Sequence, residues 1–337
     1  MKKETIKNVL FTIAFPIVMY IIMEAIVYAA KGTHVITSML DVKSIIRNAG
    51  MAAMIAFALS FNLGSGRIDL SLGAQRLAGT IIGGVIALKL GLSGVWLMVF
   101  AIIFGALFGF LTGLMFVTFR VPPIVLGIGM GLIIEVIPYV ATKGVGLNLF
   151  GKPNIAVLSE TWFIVTVVII VGIVIYLLLN KTRFGYELNA IQGSQLISQN
   201  SGIKIFKHTV LCYTFAGALV CIAGVMAASY STTLSASMGL TSSAVVMGNM
   251  FPMILGQYIG RKSNSSIGII VAALTIRIFV YGLTLLEFSE ANASVFNMLF
   301  FVGFLIFLAN EDTFKKKKAE KARIEEAIAY KKELGIA

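Results

Sequence analysis

The chain alternates between long apolar runs and short polar interruptions over 337 residues. A helix that crosses a bilayer needs ~20 mostly apolar residues. Ten segments meet or approach that length: 9–30, 45–61, 70–90, 95–119, 122–140, 162–180, 206–229, 238–258, 266–286 and 294–310. Glycines and short gaps blur several boundaries, so the pattern fits nine to eleven helices. The runs are continuous, as over 162–179, and lack the two-residue alternation of a barrel strand. In lipid only helices and closed barrels satisfy their own backbone hydrogen bonds. The pattern therefore predicts an all-α, polytopic membrane protein. Beyond 310 it changes. Glu311-Asp312 ends the apolar region, Lys315 to Lys318 form a basic run, and a charged, helix-favouring stretch follows. This predicts a membrane domain over 1–310 and a charged surface helix over 311–337, whose interleaved charges read as an ordinary solvated face.

Composition agrees. Apolar residues make up 58% of the chain, charged residues 12%, and mean hydropathy is +0.94. A soluble domain carries about a quarter charged residues, and no single core of this size hides so much apolar surface. The net charge of +12 would suggest nucleic acid in a soluble protein. Here it reads as a topological signal and as affinity for anionic lipid. With the N-terminus in the cytoplasm and ten alternating helices, most of the 27 basic residues fall inside. They include Lys2, Lys3 and Lys7, Arg67 and Arg76, Arg120, Lys181, Arg183, Lys204, Lys207, Arg261, Lys262 and those of the tail. Only Lys31, Lys43, Arg47, Lys89, Lys143 and Lys152 fall outside, and Arg277 lies within a helix. The bias predicts a multi-pass protein of the cell membrane, plasma or inner, with both termini cytoplasmic. The first run is longer than the ~7–15 residues of a secretory signal, so it reads as a spanning helix; cleavage near Ala29-Ala30 is the alternative.

Candidate chemistry is sparse. Cys212 and Cys221 lie on one apolar run, ~13 Å apart if helical, too far for a disulfide. His34 and His208 have no Cys or carboxylate cluster, so no metal site and no catalytic constellation is expected. The segment Gly146-Leu-Asn-Leu-Phe-Gly-Lys152 opens like a phosphate-binding loop. Pro153 stands where the magnesium hydroxyl is needed, and the topology puts the segment outside. No ATP-binding motif remains, so neither ATP nor another cofactor is expected on this chain. Gly105, Gly109 and Gly113 recur every fourth residue, the spacing of a close helix–helix contact in lipid.

Two stretches invite a functional reading. Asn62-Leu-Gly-Ser-Gly-Arg-Ile-Asp-Leu-Ser-Leu-Gly73 interrupts two apolar segments with polar groups and glycines. Irregular backbone at membrane depth must be buried in protein or line a cavity, and broken helices flank translocation routes. The plainer reading is a turn, with Asp69 capping the next helix. Asn62, Ser65 and Asp69 are candidates for the path. Glu24, Glu135, Asn249, Gln257, Arg277 and Asn297 fall within apolar segments; such residues line a wet path or pair between helices, and Glu135 with Arg277 is one conceivable pair. Glu135 and Asn249 join the path candidates. The second stretch, 181–207, is polar, predicted to lie inside, and favours helix over 186–199 with Gly202 as a stop. A partner could push on such an element.

Three runs resemble the ribose-type branch of the ABC importer permeases, a group that includes branched-chain amino acid and nucleoside permeases. They are Gly66-Arg-Ile-Asp-Leu-Ser-Leu-Gly73, Val121-Pro-Pro-Ile-Val-Leu-Gly-Ile-Gly-Met130, and Thr182-Arg-Phe-Gly-Tyr through Ala190-Ile-Gln-Gly-Ser and Ser201-Gly-Ile203, followed by Gly217 and Ala223-Gly224. The sugar branch is the most similar. The resemblance implies a ten-helix importer fold and two permease subunits around a central path. It implies cytoplasmic ABC ATPase subunits that carry ATP and Mg and grip a coupling helix at 186–202, with Tyr186, Glu187, Ala190, Gly193, Ser194, Ser201 and Gly202 as contacts. It also implies an extracellular or periplasmic solute-binding protein. The second half departs from the family: its glycine cluster is mostly missing from Gly248–Gly260, and Ser194 replaces an Asn. That makes a paralogous second permease an alternative to a second copy. The expected function is import of a small polar solute, a monosaccharide first and then a nucleoside or an amino acid. A stand-alone secondary transporter or channel, with Glu24 or Glu135 as coupling carboxylate, is the reading from another class; a membrane-embedded enzyme lacks its residues.

Overall fold

The computed structural model describes residues 2–333 and is almost entirely helical. The elements run α1 (Lys2–Lys31), α2 (Met39–Leu63), α3 (Leu72–Lys89), α4 (Val95–Phe119), α5 (Pro123–Thr142), β1 (Leu147–Asn148), α6 (Ala156–Ser159), α7 (Thr161–Lys181), α8 (Arg183–Gly193) and α9 (Gln195–Asn200). They continue with α10 (Ile205–Ser231), β2 (Thr233–Leu234), α11 (Ser243–Gly248), α12 (Met250–Gly260), α13 (Ser265–Leu285) and α14 (Glu290–Glu333). Among the described residues, eight helices are long and apolar enough to cross a membrane: α1, α2, α4, α5, α7, α10, α13 and the first part of α14. The other two predicted segments take different forms. Segment 70–90 becomes α3, 18 residues with Gln75 and Arg76 in its first turns. Segment 238–258 breaks at Asn249 into α11 and α12, six and 11 residues long.

The chain divides into two compact units, up to Glu287 and from Phe288 onward. In the second, α14 runs unbroken for 44 residues. The segment 294–310 and the charged stretch as far as Glu333 are therefore one helix, with no break at 310/311. No proline occurs between 290 and 333 to stop it, and Gly303 is its lone glycine.

In the first unit α10 is central, packed against α2, α3 and α4. The glycine row of α4 makes this contact. Gly105 faces Gly217, Gly109 faces Tyr213, and a methyl on Gly113 would stand 3.0 Å from the Val210 Cα. Gly79 and Gly83 of α3 press on the same helix at Gly105 and Ala101, so Gly105 stands where α3, α4 and α10 meet. Without side chains on these faces, backbones meet directly, which maximises dispersion contact where lipid offers no hydrophobic drive.

Contacts near the helix ends gather the loops of the first unit on two sides. On the side opposite the N-terminus, β1 pairs antiparallel with β2. Lys31 bonds Glu287 at 2.5 Å and holds that exposed carboxyl below its usual range, and Gly94 abuts Asn154. On the N-terminal side, the ring of Phe61 at the end of α2 lies tilted against that of Phe184 of α8, centroids 6.2 Å apart.

Candidate functional site

The turn between α2 and α3 is built from its own polar groups. The Asn62 carbonyl accepts from the amides of Ser65 and Arg67, and Gly66 takes the left-handed φ of 72° that closes the loop. Asp69, buried, then accepts from the Ser71 amide at 2.9 Å, the Ser71 hydroxyl at 2.6 Å and Gln75 Nε2 at 3.3 Å. Gln75 also reaches Ser71 Oγ and, at 3.4 Å, Thr112 Oγ1 of α4. Asp69 thus ties the turn to α3 and through Gln75 to α4, rather than capping the helix directly. Thr112 lies seven residues from the end of α4, about 10 Å into the apolar layer at ~1.5 Å per residue. Arg67 is 5% exposed and donates to Thr209 Oγ1 of α10 at 2.5 Å. The side chains of Asn62 and Ser65 are buried with no partner among the described residues, as are Nε and one terminal nitrogen of Arg67. A buried polar group left unpaired costs ~1–3 kcal/mol, so this turn holds donors and acceptors in reserve.

The second interruption lies between β2 and α11. Here Glu135 of α5, fully buried, gathers the loop. Its carboxylate accepts from the Ser242 amide at 2.8 Å, the Leu240 amide, the Thr241 hydroxyl at 3.2 Å and the Ser237 hydroxyl at 3.3 Å. Glu135 does not pair with Arg277, whose Nε is buried without a partner among the described residues. Both its oxygens serve the loop, which lies about a hundred residues away in sequence.

The two interruptions meet. Gly73 at the start of α3 lies against the Ser242 carbonyl, and a methyl there would stand 3.0 Å from the Ser243 amide nitrogen. Beside them, Gly127 of α5 faces Leu70, and Gly131 faces Leu240 and Ser71. Of the five path candidates, Asp69 and Glu135 thus sit on opposite sides of one junction. Asn62 and Ser65 lie below it in the turn. Asn249 stands at the α11–α12 break, donating to the Val245 carbonyl at 2.7 Å while its Oδ1 stays buried and unpaired. Glu24 belongs elsewhere: it bonds His34 and, at 2.9 Å, the Val35 amide, and so fastens the loop after α1. Sequence reasoning missed Gln75, Thr112 and the 237–242 hydroxyls. The i, i+4 spacing of Ser71 and Gln75 was the available signal, since it puts both on one helix face.

The segment 181–207 forms two helices rather than one. Thr182 caps α8, accepting from the Gly185 amide. At Ser194 the backbone turns extended, φ −162°, and the Ser194 side chain accepts from the Ile197 amide to cap α9. Leu188 and Ile191 are buried, and Leu188 with Phe61, Cys212 and partly buried Phe184 holds α8 on the ends of α2 and α10. Gly64 touches Gln192. The opposite face is free: Tyr186, Leu196 and Ile197 are 62%, 70% and 67% exposed. Glu187 is bonded to Arg183 at 2.6 Å. Ala190, Gly193, Ser201 and Gly202 are exposed, and Gly202 takes φ 82° after α9.

The rejected Gly146–Lys152 segment contributes β1. Cys212 and Cys221 are buried free thiols, not joined in a disulfide, and Cys221 Sγ donates to the Gln75 carbonyl at 3.3 Å. Gln257 is half-buried on α12, and Asn297 lies on α14.

Comparison with known proteins places this geometry. The chain is similar to the ribose import permease protein RbsC of Bacillus subtilis (strain 168), 27% identical over 288 residues, covering 80% of this chain and 83% of that protein. It is 27% identical to the L-arabinose transport system permease protein AraH of Escherichia coli (strain K12) over 230 residues, 63% of this chain and 66% of that one. In fold it resembles a chain described as a metal-chelate type ABC transporter in an inward-facing conformation. The TM-score is 0.51 at 16% identity, covering 88% of this chain and 98% of that one. The profile of the branched-chain amino acid transport system / permease component family matches residues 42–308, and the chain belongs to that family of ABC transporter permeases.

Proposed function

We propose that the chain is the membrane-spanning subunit of an ATP-driven importer for a small polar solute, most simply a monosaccharide. The observation that carries this is the α8–α9 segment: anchored by its apolar inner face to the ends of α2 and α10, it leaves Tyr186, Leu196 and Ile197 in the open. An exposed apolar face on a short helical pair is a docking surface. In this reading cytoplasmic ATPase subunits, holding ATP and Mg, grip α8 and α9. Their motion passes through Phe184–Phe61 to α2, and along the 62–73 turn to the junction at Gly73 and Ser242. The solute arrives from an external binding protein and passes beside that junction, between this chain and a second copy or a paralogous permease. The N-terminus lies in the cytoplasm. The sugar preference rests on the ribose and arabinose relatives; nucleosides and amino acids follow.

The test is purification in mild detergent from the native cell, with co-purifying chains identified by mass spectrometry. A P-loop ATPase should be recovered with the wild type and lost with Leu196→Asp/Ile197→Asp, while the variant stays in the membrane. A second permease in the same sample settles whether the pair is mixed. Uptake of labelled ribose or arabinose, competed with nucleosides and amino acids, reads the solute. The proposal fails if the chain is recovered alone and still carries solute in ATP-free vesicles.

A further inference from the structure

Apart from the junction, a cavity lies at the membrane edge where α4 ends and α10 begins. It has a volume of about 610 Å³ and is bounded by the last turn of α4, the 120–121 link, α9 and the first turn of α10. Its lining has two characters. Arg120, Lys204 and Lys207 supply three cations, and no lining residue is acidic. Phe116, Val117, Val121 and Phe206 supply an apolar wall, with the Arg120 guanidinium 5.8 Å from the Phe206 ring centre. Thr209 also lines the cavity, and behind it stands Arg67, a fourth cation, 5% exposed, whose Nε and one terminal nitrogen have no partner among the described residues. Lys204 and Lys207 also line a neighbouring cavity with Glu187, whose carboxylate is bonded to Arg183.

We propose that this cavity binds the headgroup of one anionic phospholipid, with its acyl chain along Phe116 and Phe206. The chemistry is specific in two ways. Converging cations without a carboxylate call for an anion, and a buried guanidinium adjacent to them deepens the positive field. Basic pockets between helices at the membrane surface take phosphate-bearing headgroups. A free phosphate would satisfy the cations but has no use for the apolar wall; a phospholipid uses both. The pocket lies at the edge of the apolar layer because both Phe119 and Ile205 terminate spanning helices. A lipid held there would tie α4 and α10 to α9, whose Gln195 and Gln199 form the cavity's third side. The inference is independent of which solute is carried.

The full chain in mild detergent would be titrated with phosphatidylglycerol, phosphatidylcholine and inorganic phosphate, with bound species counted by native mass spectrometry. We expect one tight phosphatidylglycerol site, about ten-fold preferred over phosphatidylcholine, as cationic pockets select anionic headgroups. Arg120→Gln/Lys204→Gln/Lys207→Gln should abolish the preference, whereas Lys143→Gln/Lys152→Gln on the opposite side should not. Phe206→Ser should weaken both lipids together. Should the triple variant fold poorly, exposed Lys204→Gln alone should lower the preference by about two-fold, as one of three charges sharing a ten-fold effect. Equal binding of the two lipids by the wild type, or an undiminished preference in the folded triple variant or in Lys204→Gln, overturns the proposal. Displacement of phosphatidylglycerol by equimolar inorganic phosphate overturns it too, and assigns the cavity to a free anion.

Discussion

Glu135 accepts hydrogen bonds from two amides and two hydroxyls of the 237–242 loop. A glutamine there has one acceptor oxygen, and its amide would face an N–H of Leu240 or Ser242. Glu135→Gln should therefore lower stability by about 1–3 kcal/mol, the cost of leaving a buried donor unmatched. Thermal unfolding in detergent should show the fall, and ATP-driven uptake should weaken at temperatures where the chain stays folded. Uptake driven by a proton gradient without ATP should be absent from both wild type and variant; its presence in the wild type alone would mean that Glu135 couples protons. The charge of Glu135 on an apolar run was visible in the sequence, and so was the oddity of the 62–73 turn. The partners were not. Its four donors come from a loop about a hundred residues downstream, and no local spacing predicts such a pairing. Asp69 was half legible for the same reason: its bond to Ser71 is local, but the link through Gln75 to Thr112 needs α3 and α4 side by side.

Helix packing is where the glycine row becomes testable. A methyl on Gly109 would stand 3.0 Å from the Tyr213 carbonyl carbon and closer still to its oxygen. Backbone cannot yield as a side-chain tip can, so Gly109→Ala should cost roughly 1–3 kcal/mol, the usual range for overpacking. Gly129→Ala on α5 meets nothing within 4 Å and should be neutral or stabilising by about 0.5–1 kcal/mol through helix propensity. Melting temperatures of the two variants compare the two effects directly, and equal values would show that α4 and α10 do not touch as described. On the α8–α9 segment, Ser194→Ala removes the cap of α9, worth ~1 kcal/mol. Faster amide exchange over 195–200, with 183–193 unchanged, would confirm that α8 and α9 are separate helices. Spanning helices were readable because hydropathy is a local sum. The break at Ser194 was not, since a single serine in a polar run fits a helix interior as well as a cap. Nor was the division of 238–258 at Asn249, where apolar residues continue on both sides.

The whole molecule rests on one topological claim, that loops sort to two sides by their basic residues. Contacts within the first unit already require the sorting: β1 meets β2 and Lys31 meets Glu287 on one side, while Phe61 meets Phe184 and Gly64 meets Gln192 on the other. Which side is the cytoplasm follows only from charge. The loops at 120–122, 182–204 and 261–264 are rich in Lys and Arg, and basic residues are retained inside. Single cysteines would decide it, and the native thiols do not interfere, because Cys212 and Cys221 are both 0% exposed. A membrane-impermeant maleimide should label Lys152→Cys in intact cells. Ser263→Cys, exposed at the end of α12, should be labelled only after the membrane is opened. If the two patterns were exchanged, the α8–α9 face would lie outside the cell, beyond the reach of any cytoplasmic ATPase. The importer reading would fall with it, although the helices, the Gly73–Ser242 junction and the membrane-edge cavity would all stand.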